Sequence, residues 1–115
     1  LLLDASDKTA FSAVMADGAG HPTLFLTRRL PSRGIAVAAV DVGYFREVQK
    51  AIAFGRKGHS VIVAHRGNVI AHPRPDWQRE MKNIRAIKPV ARMMAGETGV
   101  EAFVAPAFGK QMITG

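Results

Sequence analysis

Four histidines, His21, His59, His65 and His72, are the side chains best suited to hold a metal or to move a proton near neutral pH. Their spacing argues against a metal centre. His59 and His65 share a strand face by parity, yet six extended residues place them about 20 Å apart. No acidic residue falls between His59 and His72 to complete a ligand set. The chain has no cysteine, which removes thiolate sites and disulfides alike. Hydrolytic chemistry finds no frame either: none of Ser6, Ser12, Ser32 and Ser60 sits in a Gly-x-Ser-x-Gly turn. Asp76 and Glu80, at helical spacing, read as surface charge rather than as a catalytic carboxylate pair. Glycine-rich phosphate loops are absent. The expectation is a protein that is not an enzyme, with no catalytic residue, no metal and no cofactor.

Binding chemistry is better represented. Sixteen Lys and Arg against nine Asp and Glu give a net charge of +7. Arg74, Arg79, Lys82, Arg85, Lys88 and Arg92 cluster in one stretch, opposed there only by Asp76 and Glu80. Such a stretch is compatible with a solvated helix face, an acidic small molecule, an anionic lipid surface or nucleic acid. Against nucleic acid stand the absence of a helix-turn-helix pair and of a zinc finger, and the scarcity of aromatics able to stack bases. Tyr44 and Trp77 stand alone among basic segments.

The elements that must position these residues follow from pattern and punctuation. With 115 residues, 48% hydrophobic and 22% charged, the chain has the composition of one small folded domain. No run approaches the ~20 apolar residues needed to span a bilayer. Phe11–Met15 reads as a strand, followed by a turn at Asp17–Gly20. Thr23–Arg29 and Ile35–Val40 form a hairpin about Pro31–Gly34, and their near-continuous apolar runs place both arms centrally in a sheet. Asp41 reads as the N-cap of a helix over Val42–Phe54, with Val42, Phe45, Val48 and Ile52 on one face. Val61–Ala64 and Val69–His72 form a second hairpin around Gly67, stopped by Pro73. Trp77, Met81 and Ile84 share the face of a helix capped by Asp76. Pro89 opens a second helical piece, Val90–Ala95, which ends at Gly96. Val100–Ala105 and Lys110–Thr114 are strands flanking a turn at Pro106–Gly109. Strands outnumber helices and connect by hairpins, so the fold class is α+β, an antiparallel PAS-like sheet flanked by helices.

The order of these pieces carries a resemblance. A strand, a glycine turn and a strand ending in Ala71-His72-Pro73, then small helices leaving through Gly96-Glu97-Thr98-Gly99, then a further strand, resembles the extracytoplasmic Cache (PAS-like) sensor modules of bacterial receptors. Ile35–Val40 running into the following helix is similar to the link between two modules of a double Cache domain. On that resemblance, residues 1–41 are the C-terminal strands of a preceding module, or N-terminal strands of the same one. Residues 42–57 are a connecting helix, and residues 58–115 a module lacking its last strand. Ala64-His65 stands where members of the family often carry an acidic residue.

The resemblance implies a small-molecule ligand, carboxylate or amino-acid-like. It also implies a membrane-anchored parent protein with this part in the periplasm, an output such as a histidine kinase, diguanylate cyclase or chemoreceptor, and compatibility with a homodimer. Within that reading the ligand-binding residues are His72, Arg74, Trp77, Arg79 and Lys82 on one side and Phe103 and Ala105 on the opposite wall strand. Arg79, Lys82 and Arg85, at helical spacing, cannot all face inward. Two other readings stay open: a structural or dimerisation module without a ligand, and a basic nucleic-acid-binding domain.

Overall fold

The computed structural model describes residues 8–52 and 55–115. Two short strands, Ala10–Phe11 (β1) and Met15–Ala16 (β2), lie along one edge of the long strand Pro22–Arg29 (β3), and Ile35–Asp41 (β4) pairs along its other edge, all antiparallel. The single strand expected over Phe11–Met15 is interrupted because the Ser12 hydroxyl enters the ladder. The Phe25 N–H donates to Ser12 Oγ at 2.9 Å, while the Ser12 N–H donates to the Phe25 carbonyl at 2.9 Å. The interruption lets Val14 turn into the core.

Of the two arms expected to be central, β3 is and β4 is not. Among the described residues β4 pairs only with β3, and Ile35 through Ala39 are exposed on both faces. An apolar run predicts a strand covered on both faces only if other elements reach it, and among the described residues none covers Ile35 through Ala39.

Helix Gly43–Ala51 (α1) follows. Its N-cap is Val42 rather than Asp41, although Asp41 Oδ1 still accepts the Gly43 N–H at 2.8 Å. Residues 53 and 54 of the expected helix lie outside the described residues. Val42 is buried and Phe45 and Val48 half-buried, but Ile52 is exposed, and the buried residue within the helix is Gln49. Burial of an amide requires partners. Gln49 Nε2 donates to the Ser60 carbonyl at 2.8 Å, and Ser60 Oγ donates back to the Gln49 carbonyl at 3.0 Å.

Ile62–Val63 (β5) and Val69–Ala71 (β6) form a short, bulged hairpin. Gly67 makes its turn at φ +90°, with the Gly67 N–H donating to the Ala64 carbonyl at 2.8 Å. The ladder ends at Ala71 one residue sooner than expected, because the His72 N–H donates to Gln78 Oε1 at 3.0 Å instead of to a strand. Gln78 belongs to helix Pro75–Arg79 (α2).

The expected continuation of α2 through Ile84 does not form. Met81 takes φ +48°, and the chain then runs extended beside the Gly67 turn. The Val69 N–H donates to the Lys82 carbonyl (2.9 Å), the Ile84 N–H to the Gly67 carbonyl (2.8 Å), and Asn68 Nδ2 to the Met81 carbonyl (2.8 Å). Trp77, Met81 and Ile84 therefore do not share one helical face. Trp77 and Ile84 pack with Val69, whereas Met81 packs against a second cluster of Val14, Leu24, Val42, Ala64 and Ile70. That second cluster draws on all three sequence segments, 1–41, 42–57 and 58–115.

Helix Lys88–Met94 (α3) begins with Pro89 in its first turn, as the sequence predicts, and is followed by Gly96 at φ +85°. Glu101–Ala105 (β7) and Lys110–Thr114 (β8) close the chain as a five-pair hairpin. The class is α+β, with the described residues forming antiparallel strands divided among three separate sheets, and three short helices.

Candidate functional site

Strand parity and the α2–α3 crossover create a cavity of about 730 Å³ between the β5–β6 and β7–β8 hairpins. On β7, Glu101, Phe103 and Ala105 turn inward while Ala102 and Val104 face out, the period-2 alternation of a half-covered strand. Met112 and Thr114 of β8 sit on the same inner side, half-buried and lining the cavity. The opposite wall holds Val63, His72 and Trp77, and α3 adds Val90.

Four of the seven sequence-predicted site residues meet here: His72, Trp77, Phe103 and Ala105 all line the cavity. Arg74, Arg79 and Lys82 do not. The Arg74 guanidinium pairs with Asp76 at 2.7 Å and stands 5.4 Å from the centre of the Trp77 ring. Lys82 Nζ lies 4.3 Å from that centre. Both cations thus support Trp77 from outside the cavity through the negative face of the indole. Arg79 is exposed.

His72 is 5% exposed. Its Nδ1 accepts the Arg74 N–H at 2.9 Å, so Nδ1 carries no proton and Nε2–H is its remaining hydrogen-bonding group. Burial, with His59 and the Arg74 guanidinium nearby, pushes His72 down to about 4. Its ring lies 4.8 Å from Trp77 and stacks at 6.2 Å on Phe108, which in turn meets His59 at 4.8 Å. Phe108 and His59 also line the cavity and had no local signal: each sits in a turn or loop, and only the folding of β7–β8 back toward β5 joins them.

The charged groups at the rim compensate one another. Arg92 Nε donates to Glu97 at 2.7 Å and Nη1 to Glu101, while Glu101 also holds Lys88. These partners lower the Glu101 carboxyl and raise the Arg92 guanidinium from their ordinary values. Among the described residues, no group of three or more His, Asp or Glu is placed to hold a metal ion, and no helix is long and apolar enough to cross a membrane.

Comparison of the chain with protein-family models, with curated proteins and with solved structures gives no significant match.

Proposed function

We propose that this chain is a ligand-sensing domain of the Cache type, from the extracytoplasmic part of a bacterial membrane receptor, and that it binds a small organic molecule without transforming it. The observation that supports this reading is the cavity itself. It has the volume of a small-molecule site, an apolar lining and a few polar groups at defined positions. Its walls belong to two hairpins that share no hydrogen-bonded sheet, so a molecule touching Trp77 on one side and Phe103 on the other couples their separation to occupancy. A ligand with greater affinity for the closed spacing shifts the population toward it, and that shift is the signal.

A thermal-shift screen of the purified chain against carboxylates, amino acids, amines and uncharged organic molecules tests the proposal. A ligand at 100 times its Kd adds about 2.7 kcal/mol to the folded state. The expected result is a hit that is weakened in Phe103→Ala and kept in Val37→Asp, whose site on β4 is not part of the cavity lining. Silence across the panel in a cooperatively melting protein would replace the sensor with a structural module.

A further inference from the structure

We infer that the molecule this cavity takes is uncharged and built around an aromatic ring, an inference that rests on the sensor reading above and specifies its ligand class.

Charge bookkeeping comes first. The titratable side chains lining the cavity are His59, His72, Arg92, Glu97 and Glu101. Arg92 lies between Glu97 and Glu101, and Glu101 is shared with Lys88 from the first turn of α3, so these two cations face two carboxylates, while the His59 ring packs on Phe108 at 4.8 Å. His72 is held neutral by the backbone N–H that Nδ1 accepts. The cations of the basic stretch that could have met an anion, Arg74, Arg79 and Lys82, stand outside the lining. A charged ligand entering here gives up its hydration and breaks an existing ion pair to recover a partner, whereas a neutral one gives up little.

The second observation is the shape of the apolar surface. Trp77, His72, Phe108 and His59 form a run of rings with successive centroids 4.8, 6.2 and 4.8 Å apart, the middle pair inclined by only 13°. These separations fall in the range of favourable aromatic pairs, and only the middle pair is stacked. Phe108 at the outer part of the run is 38% exposed, which leaves ring surface for another ring to cover. Val63, Ile84 and Val90 continue the lining with branched aliphatic groups. Ser60, Thr98 and Thr114 also line the cavity, polar residues that carry no charge, although the Ser60 hydroxyl donates to the Gln49 carbonyl.

A matched pair of probes separates ligand charge from ring content: N-phenyl-1-naphthylamine, which is uncharged, and its 8-sulfonate, which is the same skeleton carrying an anion. Trp77 is the sole tryptophan, so energy transfer from it reports a probe beside the cavity wall. The expected result is a saturable one-to-one signal for the neutral probe, with the sulfonate weaker by about tenfold or more. Phe108→Ala should weaken the neutral probe by about tenfold, and Val37→Asp on the exposed β4 strand should leave it unchanged. Equal or tighter binding of the sulfonate would overturn the ligand class while leaving the sensor reading in place. Binding of neither probe would overturn the aromatic ligand class, and silence across the thermal-shift panel as well would remove the sensor reading with it. A signal lost in Val37→Asp but kept in Phe108→Ala would place the probe on β4 and overturn the inference.

Discussion

The β3–β4 and β5–β6 hairpins show how little ladder length says about where a fold is held. The first has seven registered pairs and the second only two. Yet Ile35 and Val37 of β4 are 54% and 53% exposed, while Val69, Ile70 and Ala71 of β6 are all buried. The long hairpin carries its hydrogen bonds into solvent, where exchange with water leaves each worth little net. The short one lies between two apolar clusters, one reaching down to Leu24 and Val42 and the other up to Trp77 and Ile84. The cavity is built on the second. A radius of gyration of 15.9 Å, against about 13 Å for a compact chain of this length, fits a molecule with one well-packed half and one that extends outward.

The strongest test of this contrast is truncation on each side. Trp77→Ala should lower the unfolding free energy by about 3–5 kcal/mol, against less than about 0.5 kcal/mol for Val37→Ala, both read from urea titration. A comparable loss at Val37 would mean that β4 is covered in solution and would break the comparison.

The two turns provide the next test. A Cβ at Gly67 would stand 2.6 Å from Arg85 Cβ and 3.2 Å from its backbone, in a left-handed conformation. Gly67→Ala should therefore cost about 2–3 kcal/mol. At Gly34, in the β3–β4 turn, the nearest atom is Leu30 Cδ1 at 3.6 Å, and Gly34→Ala should stay within about 0.5 kcal/mol of the parent. Melting curves of the two variants side by side decide the matter.

A smaller effect comes from His72. Its value near 4 in the folded chain lies below the ordinary histidine value of 6.5, so between those limits the unfolded chain holds more protons than the folded one. Stability should then be full above about pH 6.5, fall as the pH drops through that window, and lose the whole contribution below about pH 4. The slope has a one-proton limit of about 1.4 kcal/mol per pH unit, reduced by solvent screening from the adjoining cavity. His72→Gln should flatten this part of the pH profile. An unchanged profile would show that His72 takes up its proton equally in the folded and unfolded chain, against the burial seen here.

The smallest expected change is at the edge of the first sheet. Val37→Asp should shift the melting temperature only slightly, because the new carboxylate stays in water. A large destabilisation would reveal a covering partner on β4.

Much of the candidate site was legible from local pattern. Phe103 and Ala105 share a strand face by alternation alone, Gly67 marks the turn that brings β6 back, and Pro89 and Gly96 bracket α3. The Cache resemblance implies ligand contacts at His72 and Trp77, and both line the cavity. The same resemblance places the cations Arg74, Arg79 and Lys82 with them, but neither it nor helical spacing says which side of an indole ring a long side chain takes.

By itself, then, the sequence determined the α+β class, most strand positions and the turns, because these depend on the conformational limits of each residue and its near neighbours. Only the tertiary structure decided that β4 stands uncovered, that Gln49 is buried, and that residues 82–84 leave the helix to run beside Gly67. It also decided that Arg92 is neutralised by Glu97 and Glu101, and that Phe108 closes on His72. Each of these depends on a partner supplied by a different element or by the closing of a loop. Burial, hydrogen-bond exchange and charge pairing are settled by what the folded chain brings into contact, and no periodicity along the chain encodes that.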